Sequence, residues 1–243
     1  MANEESNTVS IPANASEAPT FAKVWQQVKG NAPTFAAIWG LILITALIDS
    51  AFSTLLHFTS LHYLLEDNIG KYSDLQPDVI AGFISTVGSL PTTVLANLAC
   101  VLMMAVAAIY YTTDRCPHPG EIVGILSHKP LRYLLAGFQF VIVGVVGLLL
   151  CMIPGILVFL TGPLYVHYVF TTDLSLINCL SKAFKGMFQN FGSYFVVSLL
   201  CFLAVIGSTV LCLFPVLAML PMTTLYMQNY IHHKGLVAAR ELA

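Results

Sequence analysis

From Tyr133 to Phe170 the chain runs for 38 residues, YLLAGFQFVIVGVVGLLLCMIPGILVFLTGPLYVHYVF, without one Asp, Glu, Lys or Arg. As a single straight helix this stretch would measure ~57 Å at ~1.5 Å per residue. That is nearly twice the ~30 Å hydrocarbon core of a bilayer, so the chain has to reverse inside it. Pro154-Gly155 lies near the middle, and the pair is a strong local breaker of regular structure. The expected element is a transmembrane helical hairpin that turns at Pro154 and Gly155.

The rest of the chain agrees with that environment. Only 9% of its 243 residues are charged and 57% are hydrophobic, where a soluble domain carries about 25% charged residues. A polytopic membrane protein follows, with the lipid bilayer as its first partner. The net charge of −2 and the lack of a basic patch argue against a nucleic-acid partner. Residues 1–20 have no basic stretch leading into an apolar one, as a cleavable signal would, and read as a disordered cytoplasmic tail. The sequon Asn14-Ala15-Ser16 falls in that tail. None of the six cysteines lies in the expected outer loop, so a disulfide framework is not expected and small buried hydrophobes are the better reading.

Taken in order, Phe21, Val24, Trp25 and Val28 recur at i, i+3, i+4 and i+7, one face of an amphipathic helix. It reads as an interfacial lead-in, with Trp25 at headgroup depth, to a first span over about 34–56. Residues 57–78, with Glu66, Asp67, Asp74 and Asp78 against Lys71, read as an acidic outer loop. Residues 79–90 are apolar but too short to cross, and Pro91 separates them from a second span over about 92–111. A polar segment, 112–132, carries Arg115, Lys129 and Arg132. The hairpin supplies spans three and four. Residues 171–192 form a second amphipathic lead-in, for which Asp173 is the expected N-cap, and spans five and six cover 194–213 and about 216–231. Residues 21–234 thus make one six-span domain, and 235–243 a short tail. Nine of the ten Lys and Arg residues, all but Lys71, sit in the tails and in the segments after spans two and four. The positive-inside rule makes those segments, and both termini, cytoplasmic.

A shift of 61 residues lays the opening hairpin on the last one without a gap. Tyr133 meets Tyr194, Leu150-Cys151 meets Leu211-Cys212, Pro154 meets Pro215, and Leu164-Tyr165 meets Leu225-Tyr226. Pro215 then marks the equivalent turn. A shift of 159 pairs Lys23 with Lys182, Trp25 with Phe184, and Asn31 with Asn190. The fold class expected is an all-α integral membrane protein, built from repeated helical hairpins with interfacial lead-in helices. The repeats are parallel, since each starts on the same face.

Candidate chemistry is sparse. Asp49 is the one acidic residue inside a span so drawn, and an intramembrane carboxylate suggests proton or cation handling. Its place near the outer end of span one favours a solvated role. His167, with Gln139, Gln228, Asn229 and Asn97, can line a polar seam between helices, although such groups commonly only bond helix to helix. Cys116-Pro117-His118-Pro119 supplies at most two ligands where structural zinc wants four, and no metal or other cofactor is expected. No nucleophile elbow, phosphate loop, zincin helix or dinucleotide fingerprint occurs, so no enzymatic activity is expected. Gly144 and Gly147 are three apart, not the four of a dimerising GxxxG.

Ile153-Pro154-Gly155 after a long span, then a further span and the amphipathic stretch Ser181–Asn190 ahead of the next, carry a resemblance. The chain resembles the YciC-like family of bacterial inner-membrane proteins over most of Phe21–Lys234. More distantly it resembles the membrane domain attached to some bacterial glycerophosphodiester phosphodiesterases. The catalytic domain of the latter has no counterpart here, so their activity is not implied. The resemblance implies a bacterial inner membrane and a non-catalytic role in envelope maintenance or as the partner of another membrane protein. The alternative is a small-solute permease with Asp49, Gln139 and His167 along its path. In a cysteine-free background, Gly70→Cys should react with an impermeant thiol reagent from outside intact cells and Gly120→Cys should not. The reverse pattern would invert the orientation.

Overall fold

The computed structural model describes residues 16–65, 98, 100–211 and 213–237. The side chains of 49, 52–53, 55–65, 211 and 213–216 lie outside that set. All regular structure among the described residues is helical: α1 (Phe21–Gly30), α2 (Ala32–Leu65), α3 (Cys100–Thr113), α4 (Pro119–His128), α5 (Pro130–Leu150), α6 (Met152–Leu160), α7 (Gly162–Thr171), α8 (Leu176–Gln189), α9 (Phe191–Leu211) and α10 (Leu213–His233). The chain divides into a unit of residues 36–102 and a second unit made of the rest. The acidic segment 66–78, the apolar stretch 79–90, Pro91 and Asn97 lie outside the described residues. Residues 57–65, expected in the outer loop, instead continue α2.

Among the described residues two helices are long and apolar enough to cross a bilayer, α5 over Pro130–Leu150 and α9 over Phe191–Val210. Two more candidates are broken pairs, Phe21–Gly30 with Ala32–Ile48 and Met152–Leu160 with Gly162–Thr171. Both α5 and α9 show lipid-like surfaces, with Leu149 82% and Val210 81% exposed. Residues with that transfer free energy stay out of water only if something apolar covers them.

The hairpin forms, but its turn is not where the breaker pair lies. The chain reverses at Cys151, which is extended (φ −168°, ψ 142°) between α5 and α6. Pro154 and Gly155 sit in the first turn of α6. Proline costs nothing there, because the first N–H groups of a helix have no intrahelical acceptor to lose. Pro215 occupies the same third position of α10. Gly155 instead serves contact. A Cβ on it would collide with the Leu148 side chain and stand 2.7 Å from the Leu148 backbone nitrogen. A Cβ on Gly147 would stand 3.0 Å from the Gly155 nitrogen, and one on Gly144 3.0 Å from Phe159 Cζ. The two helices therefore touch backbone to backbone.

The second arm breaks at Thr161, where α6 and α7 meet at 44°. Pro163 has no N–H to give to the carbonyl of Phe159, and the helix bends at the lost bond. The bend turns Leu164, Tyr165 and Tyr168 into the core, beside Ala136, Cys179, Ala183, Met187, Tyr194 and Ile231. Tyrosine hydroxyls bind this core together by donating to main-chain carbonyls of neighbouring helices: Tyr165 to Ala136 at 3.1 Å and Tyr194 to Leu160 at 2.9 Å.

Each long helix α2, α5 and α9 follows a shorter one after a single non-helical residue: Asn31 (φ −116°, ψ 23°), Lys129 (φ −137°, ψ 55°) and Asn190 (φ −136°, ψ 46°). The middle member, α4, lies in what read as a purely polar segment. Pro119 opens it, and the Glu121 carboxylate accepts from the His118 N–H at 3.0 Å, which closes its N-terminus. The N-cap of α8 is Ser175, whose hydroxyl accepts from the Asn178 N–H at 3.4 Å. Asp173 is not the cap: two residues too early, it pairs with Lys129 at 2.5 Å. That hydrogen bond and the ammonium charge hold its carboxyl below the usual range. After α10, Gly235 takes a left-handed φ of 61°, as helix C-termini favour, and Leu236 and Val237 return to the core against α8.

Gly155→Ala should lower thermal stability in detergent by ~1–3 kcal/mol, the range for overpacking. Gly137→Ala, whose Cβ meets nothing within 4 Å, should be neutral or slightly stabilising. Equal behaviour of the two would contradict the close α5–α6 contact.

Candidate functional site

Among the described residues the buried imidazole and amide side chains gather on α7 and α10. His167 on α7 is 2% exposed, and Gln228, Asn229 and His232 on α10 are 1%, 0% and 8% exposed. Their spacing on α10 explains the grouping, because residues three and four apart share a helix face. The imidazoles of His167 and His232 lie edge to face with centroids 5.0 Å apart. Tyr111, fully buried at the end of α3, reaches the same place, its ring 6.0 Å from that of His232. Its hydroxyl donates to Gln27 Oε1 on α1 at 2.6 Å, and the Asn229 amide is close to the same hydroxyl.

Gln228 Nε2 donates to the Pro163 carbonyl at 2.9 Å, tying α10 to the broken end of α7. Among the described residues five other buried atoms make no hydrogen bond of good geometry: His167 Nδ1, Gln228 Oε1, both amide atoms of Asn229, and His232 Nε2, although the Gln228 amide lies near the His167 ring and the Asn229 amide near the Tyr111 hydroxyl. An unmet buried polar atom costs ~1–3 kcal/mol, and such atoms in native proteins ordinarily have a partner. The set mixes acceptors, donors and two imidazole nitrogens, which suits a small hydrogen-bonding guest better than a bare ion of either sign.

The expected seam is thus partly assembled. His167, Gln228 and Asn229 come together. Gln139, half-exposed on α5, has no hydrogen bond to His167. Asp49 lies within α2, in the other unit, and its side chain is outside the described residues. Sequence reading passed over Tyr111, Gln27 and His232. The first two are 84 residues apart, and no local pattern pairs them. His232 stands four residues from Gln228 and three from Asn229, a spacing that puts it on their helix face. Among the described residues no three His, Cys, Asp or Glu side chains group as metal ligands would.

Tyr111→Phe strips Gln27 Oε1 of its donor and should cost ~1–2 kcal/mol of stability. His167→Leu removes a ring that makes no well-formed hydrogen bond among the described residues and should cost less, as chemical denaturation in detergent would read. The opposite order would mean that His167 is held firmly, by Gln228 or by a guest. No protein-family model, curated protein or solved structure matches this chain.

Proposed function

We propose that this protein is a non-catalytic, six-span protein of a bacterial inner membrane that works by binding another membrane protein, in the service of envelope maintenance. The proposed spans are α2, α3 with the residues before it, α5, α6 with α7, α9, and α10. The location in a bacterial inner membrane rests on the resemblance to the YciC-like family, and the cytoplasmic termini on the distribution of Lys and Arg.

The observation that carries the partner reading is a ladder of phenylalanines across the α8–α9 junction. Phe184, Phe188, Phe191 and Phe195 stack in succession with centroids 6.3, 5.7 and 5.9 Å apart. Phe188 is 55% exposed, Phe191 37% and Phe195 38%. Aromatic side chains in an exposed row, where an interfacial helix meets a span, are the kind of surface from which protein interfaces draw their energy. The repeated-hairpin reading is supported by the bounds of α5 and α9, which begin and end 61 residues apart, and by the single-residue junctions at 31, 129 and 190.

A second reading, a small-solute permease, is favoured by the five unmet polar atoms around His167 and His232. Affinity purification in mild detergent, with protein and lipid identification, separates the two. A stoichiometric membrane protein should be retained by the native chain and lost with Phe188→Ser/Phe191→Ser. A retained small solute that is lost with His167→Leu would favour the permease instead.

A further inference from the structure

We propose that a cleft at the shared end of α4, α5 and α7 binds the phosphodiester of an anionic phospholipid, with Arg132 as its principal ligand. The cleft has a volume of about 600 Å³, within the ~300–1,000 Å³ of small-molecule sites. Three basic side chains line it: His128 from the last turn of α4, Lys129 at the junction, and Arg132 from the first turn of α5. Its far wall is the end of α7, where Phe170 stacks on Tyr133 with centroids 4.4 Å apart and planes within 3°.

Neither carboxylate of the cleft forms an ion pair with Arg132, although the Asp173 charge is near enough to be felt. Two carboxylates line the cleft, and each is engaged. Glu121 pairs with Arg115 at 2.6 Å and Asp173 with Lys129 at 2.5 Å. Arg132 donates through Nη2 to the Thr172 carbonyl at 2.9 Å, a neutral acceptor at the end of α7. The same Nη2 also reaches Cys179 Sγ at 4.0 Å; a guanidinium has five N–H donors, so these contacts through one nitrogen fix its position and leave donors on the others for a phosphate. The bond to Thr172 covers the negative end of α7, which would otherwise repel an anion.

The surroundings select a lipid over a soluble phosphate. Leu131 and Leu134, on either side of Arg132 in α5, are 68% and 66% exposed, and Val123 on α4 is 66% exposed. Acyl chains lying along this surface of α5 cover it, while the headgroup enters the cleft at its end beside Arg132. Basic pockets at membrane-helix ends bind anionic headgroups on these grounds. The proposal requires α5 to lie in a bilayer and is independent of what the phenylalanine ladder binds.

The test is native mass spectrometry of the purified, delipidated full chain, titrated with phosphatidylglycerol or phosphatidylcholine. One saturable phosphatidylglycerol site is expected, with phosphatidylcholine binding more weakly. Arg132→Gln should weaken it at least about tenfold, as loss of a charge-assisted donor pair implies. Gly124→Phe tests the cleft without touching a charge. Gly124 lines the cleft, and its Cβ would meet nothing within 4 Å; this variant should also weaken binding, while Lys234→Gln should not. Should Arg132→Gln not fold by circular dichroism, Gly124→Phe decides. Unchanged phosphatidylglycerol binding in the folded cleft variants, or equal affinity for phosphatidylcholine, would overturn the proposal. Displacement of the lipid by excess inorganic phosphate would overturn the lipid source and assign the cleft to a soluble phosphate.

Discussion

Gly155 lies so close to Gly147 and Leu148 that not even a methyl group fits between α5 and α6 without something moving. Much of the larger unit follows from that contact. In a bilayer there is no hydrophobic gain in bringing two apolar helices together, since lipid tails solvate them as well as another helix does. Close van der Waals contact between backbones remains as the favourable term, and small residues are what permit it. With α6 held on α5, the bend at Thr161 delivers α7 to α8 and α10, and the tyrosine hydroxyls then find main-chain carbonyls on neighbouring helices.

The two polar sites sit in contrasting environments. Around His167 and His232 the polar atoms are sealed from solvent with part of their bonding capacity unmet, where low polarity makes every missing partner expensive. Around Arg132 the charges are at the rim, in reach of water, where pairing is weaker but reversible. The first is suited to holding a neutral guest or bonding helix to helix. The second is suited to exchanging an anion.

The two sites were unequally legible in the chain. His167, Gln228 and Asn229 stood out because polar residues are rare in apolar runs, and they do converge. Gln139 stood out on the same ground and has no hydrogen bond to them, since rarity does not report which way a helix is rotated. Lys129 and Arg132 were read only as topogenic charges. Their cleft depends on α4, a helix hidden by Pro117, Pro119 and Pro130, which punctuate its flanks and look like loop. Asp173 was misassigned as a cap because an acidic residue ahead of an amphipathic stretch is the usual signal. Ser175, two positions later, meets the geometry, and Lys129 draws Asp173 away.

The amino-acid sequence by itself determined the apolar character, the helical class and, to within a few residues, the places near Asn31 and Asn190 where lead-in helices give way to long ones. Those follow from transfer free energy and periodicity, which are properties of one segment at a time. Tertiary structure decided that the hairpin turns at Cys151, that Pro154 begins a helix and does not end one, and that Gln27 meets Tyr111 and His167 meets His232. Such outcomes depend on how closely separate helices approach and how they are rotated. Backbone contact at glycines and hydrogen bonds between distant residues set both, and neither leaves a local signature.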